Sequence, residues 1–139
     1  MACLTDYDVK ILLAFGRALA NDRRFSDFLL NNGFPELSAL AAAIHSDEEA
    51  LNWLFKNKYP EFAILSNAID GEENAMMWLK KYNFDFLLKF ALACRKEDDA
   101  IKWFAKNDLK LFIQFIQMIH NILQQQIDDS ADIHKRRRS

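Results

Sequence analysis

Glycine and proline are scarce in this chain, three and two among 139 residues, and Val9 is its one valine. With few turn-formers and almost no run rich in Val, Ile and Thr, a sandwich or barrel of short strands is excluded. Cysteine is scarce too. Cys3 and Cys94 make no metal-ligand spacing, and with Cys3 so near the start they make a poor disulfide pair. That excludes a disulfide scaffold and points to a reducing, cytoplasmic setting. Neither sign of charge dominates: a formal net charge of −2 supplies no general field for nucleic acid or anionic lipid.

A long hydrophobic run is lacking as well. The stretch "LFIQFIQMIHNILQQQI" at 111–127 is uncharged, but Gln, His and Asn make it too polar, and it is slightly short for a membrane span. The opening "MACLTDYDVK" places Asp6 and Asp8 where a signal peptide would carry positive charge. The reading is therefore a protein with no membrane segment. Ala, Leu, Lys, Glu and Phe are what remain abundant, which makes the class all-α. At this length one domain could bury roughly two-thirds of its unfolded surface.

What the chain does have is repetition. "EEALNWLFKN" at 48–57, "EENAMMWLKKY" at 72–82 and "EDDAIKWFAKN" at 97–107 place Trp53, Trp78 and Trp103 25 residues apart. The same step joins Ala50, Ala75 and Ala100, then Leu54, Leu79 and Phe104, then Lys56, Lys81 and Lys106. After each Trp segment a second register repeats: Leu37, Phe62, Leu87 and Phe112; Leu40, Leu65, Phe90 and Phe115; Ile44, Ile69, Cys94 and Ile119. Both sets fall on single helix faces, so each unit is a pair of short helices.

The outer helix of each pair opens on acids (Asp47, Glu48, Glu49; Glu72, Glu73; Glu97, Asp98, Asp99) and closes on lysine, as a helix dipole favours. Ser46 with Glu49 predicts a capping box. The inner helix starts at Pro35 or Pro60, a good first-turn position. Gly33 and Gly71 punctuate helix ends. The register predicts nine helices: inner at about 7–20, 35–45, 60–70, 85–95 and 110–127, outer at about 22–32, 47–58, 72–82 and 97–107. No unit this small buries its own apolar face, so the units must stack into an αα solenoid. The expected organisation is one helical-repeat domain over 1–128, with a capping inner helix and repeats at 22–46, 47–71, 72–96 and 97–121. A polar, basic tail over 129–139 follows.

"EFAILSNAIDGEENAMMWLKKYNFD" at 61–85 resembles the helix pair of an ankyrin repeat, and "ALNWLFKNKYPE" at 50–61 is similar to divergent short ankyrin repeats reading W-L-x-x-N-G-x-P. The resemblance covers residues 22–121. It implies a protein-binding scaffold without catalysis, its inner helices lining a concave face. The chain departs from the family in lacking the Thr-Pro-Leu-His signature, and a 25-residue period leaves no room for β-hairpin fingers.

Candidate sites follow from the register. The Trp series reads as packing in the seams between repeats, and Lys56, Lys81 and Lys106 read as a solvated, dipole-matched face. His45, Asp70, Arg95 and His120 share one position at the inner-helix C-terminus. Cations there are favoured by the dipole alone. No nucleophile–base–orienter set, phosphate loop or metal-ligand cluster is legible, so neither an enzyme nor a cofactor is expected. A second inner-helix stripe varies between repeats: Ser38/Ala42, Ala63/Asn67, Leu88/Leu92, Ile113/Gln117. It turns apolar toward the C-terminus, where Leu88, Leu92, Ile113 and Met118 would be offered together. An exposed patch of this kind marks an interaction site; burial beneath the C-terminal tail is the competing reading.

The last helix carries one polar stripe, Lys110, Gln114, Gln117, Asn121 and Gln124. Its apolar arc is too wide for one neighbour, which argues for a homodimer through that helix or for a bound partner. The preferred function is a non-catalytic interaction scaffold that binds a protein through Leu88, Leu92, Ile113, Gln117, Met118 and Asn67. The alternative is a nucleic-acid binder using Lys135, Arg136, Arg137 and Arg138 with the lysine series.

Overall fold

Helix ends recur every 25 residues because the backbone turns left-handed at the same two places in each repeat. In the computed structural model, which describes the backbone of residues 2–138 and the side chains of 2–131, φ is +66° at Asn21, +72° at Ser46, +95° at Gly71 and +63° at Lys96. A second series follows at Gly33 (+90°), Lys58 (+70°), Asn83 (+62°) and Asp108 (+55°). After the first series, the amides of Asp22, Asp47, Glu72 and Glu97 reach back to the carbonyls of Arg17, Ala42, Asn67 and Leu92. These are Schellman closures, which satisfy carbonyls the helix end would leave orphaned. Only two of the eight positions hold glycine, so six are held left-handed against the Cβ penalty.

Between these turns lie nine α-helices, with no strand among the described residues. The inner set is α1 (Val9–Leu19), α3 (Pro35–Ile44), α5 (Pro60–Ile69), α7 (Asp85–Cys94) and α9 (Lys110–Arg138). The outer set is α2 (Arg23–Asn31), α4 (Glu48–Lys56), α6 (Glu73–Lys81) and α8 (Asp98–Lys106). A 3-10 turn over Leu4–Asp6 precedes α1. The expected alternation and boundaries hold within about two residues, with two exceptions. The last helix runs on to Arg138 rather than ending near 127. The expected capping box at Ser46 and Glu49 is not formed. Ser46 is the left-handed residue, and Asp47 is the cap, accepting from the Ala50 amide at 3.2 Å. Asp22 does the same for α2 through the Arg24 amide at 3.1 Å. Asparagines close three of the four outer helices, since Asn32, Asn57 and Asn107 donate from Nδ2 to the carbonyls of Phe28, Trp53 and Trp103.

The tryptophans are half-buried wedges rather than full core residues. Trp53 stacks on Tyr59 (6.3 Å between centroids, 11° between planes) and Trp78 on Phe84 (5.4 Å, 11°). Each ring therefore joins an outer helix to the aromatic residue that starts the next inner one. Leu109 offers no ring in the last repeat, and Trp103 instead meets Phe104 and Phe86 edge-on, with the Lys89 ammonium 4.3 Å from its centroid.

Each inner helix packs on the next, and α1 also meets α9. The Phe15 and Phe115 rings cross edge-on at 5.5 Å. Gly16 allows the approach: a Cβ there would lie 2.8 Å from a Phe115 ring carbon. The row of inner helices thus bends round until its first member touches its last. As a result α3 and α5 have no exposed residue and α7 has only Asp85. The fully buried Phe15, Leu37, Phe62, Phe90, Phe104 and Phe115 form the continuous core. The open concave face implied by the ankyrin resemblance is closed. Among the described residues no helix is long and apolar enough to cross a membrane.

Candidate functional site

A groove of constant construction recurs along the stack. Its walls are the C-terminal end of one inner helix, the left-handed turn after it, the start of the following outer helix, and the facing side of the next inner helix. The first instance, about 570 Å³, is lined among others by Asn21, Arg23, Ser26, Ser38 and His45. The second, about 290 Å³, holds Ser46, Asp47, Ser66, Asn67, Asp70 and Glu72. The last, about 250 Å³, has an isoleucine floor of Ile101, Ile113 and Ile116, with Lys96, Gln117 and His120 around it. At the equivalent place in the third repeat Arg95 lies across Gly71, where a Cβ would meet its guanidinium carbon at 2.7 Å.

The position shared by His45, Asp70, Arg95 and His120 bridges neighbouring inner helices. His45 Nε2 lies 2.8 Å from the Leu19 carbonyl, Arg95 Nη1 donates to that of Ile69 at 3.2 Å, and His120 Nδ1 lies 3.3 Å from that of Cys94. Each bridge supplies a donor to an orphan carbonyl at a helix C-terminus. The two histidines sit in different grooves, committed to the backbone. A carboxylate at Asp70 has no proton to give, and the Ile44 carbonyl receives instead from Gln126 Nε2 on α9, at 3.4 Å.

The residues proposed from sequence are distributed as follows. Ile113 and Gln117 come together in the last groove, Ile113 half-buried and Gln117 exposed. Leu88 and Leu92 occupy the same two register positions one repeat earlier and are half-buried, packed on the core, as is Met118. The apolar stripe is thus tucked into the helix seams rather than laid open. Asn67 lies apart from these, in the acidic groove. The wide apolar arc of α9 has α1, α7 and α8 as neighbours. Ile127 is left 61% exposed farther along the helix. Lys56, Lys81 and Lys106 are exposed as expected. The side chains of Lys135, Arg136, Arg137 and Arg138 lie outside the described residues.

Two buried acids were not singled out from the sequence. Glu36 and Glu61 stand in the first turns of α3 and α5, 4% and 1% exposed. The helix N-terminus favours negative charge at both places. The Tyr7 and Tyr59 phenols feel the Glu36 carboxylate. Burial foremost, and then Glu36, hold both phenols above their ordinary range. Glu61 Oε2 has no partner among the described residues. By the register, Tyr59 lies near Glu36 from the next repeat, and Phe84, at the matching place for Glu61, carries no hydroxyl. The sequence signal was available, since position 36 in the repeat reads Glu36, Glu61, Phe86, Leu111, and large apolar groups at the same register mark a buried site.

In comparisons with known proteins, the chain matches no family model, and no curated protein or solved structure matches it significantly.

Proposed function

We propose that the chain is a non-catalytic protein-interaction module that receives an apolar side chain of a protein partner in the groove between α7, α8 and α9. The observation that carries this reading is the composition of the last groove. Its isoleucine floor of Ile101, Ile113 and Ile116 is ringed by Lys96, Gln117, His120 and Asn121, a floor the first groove lacks. The residues of the first groove in register with Ile101, Ile113 and Ile116 are Ser26, Ser38 and Ala41, and an apolar centre with a polar rim is the anatomy of an interaction hot spot. Ile101 is 37% exposed and within reach of an incoming side chain. The ankyrin-like phrasing of residues 50–85 lends further support, because that family serves as binding scaffolds.

Affinity capture with the intact chain and with an Ile101→Glu/Gln117→Glu variant tests the proposal. Both positions face solvent, so the melting temperature should hold within a few degrees. A protein retained by the wild type and lost by the variant is the expected result. Identical retention by both would sink the α7–α9 site.

A further inference from the structure

Among the described residues, α1 is the one inner helix that no outer helix precedes. Residues 2–7 stand in that place, and the register gives their role. Leu4 lies 25 residues before Leu29, the first of the series Leu29, Leu54, Leu79 and Phe104, and like all four it is fully buried. Cys3 falls at the position that Trp53, Trp78 and Trp103 hold. A single 3-10 turn, Leu4–Asp6, thus stands in for the nine-residue outer helices. It supplies the anchoring leucine and leaves out the tryptophan.

That omission uncovers α1. Trp53 and Trp78 each stack on the aromatic residue that starts the next inner helix, Tyr59 and Phe84. Val9 holds the starting position in α1 and is 66% exposed; Leu13, one turn on, is 53% exposed. Their register mates, Phe34, Tyr59, Phe84 and Leu109 with Ser38, Ala63, Leu88 and Ile113, are all buried or half-buried. Val9 and Leu13 lie on one helix face, and the exposed Lys10 and Arg17 of α1 suit a helix that opens on acids. The turn before α1 is lightly tied. Its backbone bonds stay within it, from the Asp6 amide to the Cys3 carbonyl (3.0 Å) and from the Cys3 amide to the Asp6 carboxylate (2.9 Å). Tyr7 and Asp8, which join it to α1, are extended, with ψ of 146° and 148°, and Asp8 makes no side-chain cap bond. Leu4 and Tyr7 hold it to the array, Tyr7 against Phe34 at 6.0 Å and Phe62 at 6.5 Å, with Ala2 and Cys3 half-buried beside them.

We propose that α1 is a docking face for an amphipathic helix of a protein partner, one that carries the tryptophan–leucine pair of this chain's own outer helices and displaces residues 2–7. The partner's leucine takes the place of Leu4, and its tryptophan covers Val9 as Trp53 covers Tyr59. The array itself specifies this occupant, because the matching positions of α5 and α7 are covered in that way by α4 and α6. The face consists of α1 and the turn before it, whereas the isoleucine groove lies among α7, α8 and α9, so either can fail without the other.

The test is a titration of the isotope-labelled full chain with the peptide acetyl-Glu-Glu-Ala-Leu-Asn-Trp-Leu-Phe-Lys-Asn-Lys-amide, the sequence of residues 48–58, followed by amide chemical shifts. Shifts should gather at Leu4, Tyr7, Val9 and Leu13. Val9→Glu/Leu13→Glu should weaken binding at least about tenfold, as should alanine in the peptide at the positions of Trp53 and Leu54. Leu4→Ser, which releases the turn that competes in cis, should tighten binding about tenfold or more. The first double variant alters exposed positions only, so it decides the case even where Leu4→Ser lowers stability. No binding by the wild type, undiminished binding by Val9→Glu/Leu13→Glu, or no gain in a folded Leu4→Ser chain would overturn the proposal. So would shifts centred on α3 and α5, which would mean exchange with α4. Concentration-dependent shifts at Val9 and Leu13 without peptide would overturn it as well, since a second copy would then cover the face.

Discussion

Gln126 and Ile44, 82 residues apart in sequence, are joined by a hydrogen bond from the glutamine Nε2 to the isoleucine carbonyl, and the same nitrogen donates to Ser46 Oγ at 3.0 Å. The contact falls where the repeat's own donor is missing, because Asp70 stands in place of His45, Arg95 or His120. One side chain from the last helix thus completes a backbone cap in the first repeat and ties α9 across the end of α3.

Asp70→His should restore the local bridge and raise stability by about 1 kcal/mol, the net worth of a hydrogen bond. Gln126→Ala should cost about the same in the wild type and close to nothing in the Asp70→His background. Chemical denaturation of the four proteins measures this coupling. An equal cost for Gln126→Ala in both backgrounds would show that the glutamine does not act at Ile44.

The left-handed positions predict where glycine helps. Lys58 and Lys96 carry a Cβ at φ of +70° and +63°. Relief of that strain, less the entropy glycine adds to the unfolded chain, leaves a gain of about 0.5–1 kcal/mol for Lys58→Gly or Lys96→Gly. Asn83→Gly should be nearly neutral, because asparagine tolerates this region. Gly71→Ala should destabilise twice over, through its φ of +95° and through collision with Arg95. Thermal melts in this rank order are expected; a loss on Lys58→Gly would refute the strain argument.

The repeat made the local structure legible and hid the global one. Spacing of Trp53, Trp78 and Trp103 fixes helix spans, because a helical hairpin is decided by contacts within one or two repeats. The meeting of Phe15 with Phe115 lies outside that pattern, since no periodicity states how far a stack curls. Of the left-handed turns only Gly33 and Gly71 announced themselves; Asn21, Ser46, Lys58, Asn83, Lys96 and Asp108 follow only when those two are carried through the register. At the candidate sites, Ile113, Gln117 and Asn67 were legible as variable positions. Ile101 was not, because one isoleucine on an outer helix reads as a seam residue until its place in a groove is known.

Phe84→Tyr would place near Glu61 a hydroxyl at the register position that Tyr59 holds toward Glu36. The buried, unpartnered Oε2 should then be satisfied, with a gain of about 1 kcal/mol. The ring keeps its stacking on Trp78, so the near-ultraviolet dichroism should change little while the denaturation midpoint rises. A fall in that midpoint would mean that Glu61 points elsewhere.

Tyr7 and Tyr59 also set an alkaline limit. Their phenols titrate above the ordinary value of 10.0 in the folded chain. Above about pH 10 the folded state therefore holds protons that the unfolded chain has released, and stability falls as pH rises. Below that pH the contribution is fully present. Tyr7→Phe/Tyr59→Phe should flatten the alkaline decline relative to wild type. Parallel slopes for the two proteins above pH 10 would remove the tyrosines from the account.

Gly16→Ala tests the closure of the array. Within α1, alanine should gain about 1 kcal/mol of helix propensity over glycine. Its Cβ, however, would stand 2.8 Å from Phe115, and forcing an atom into a packed seam typically costs about 1–3 kcal/mol. The two effects oppose each other, and the sign decides whether α1 is held against α9 or merely lies near it. A net loss is expected, accompanied by faster hydrogen exchange in both α1 and α9. Phe115→Leu should relieve the clash, so that Gly16→Ala becomes neutral or stabilising in that background. If alanine stabilises the wild type outright, α1 and α9 separate readily and the ring is open in solution.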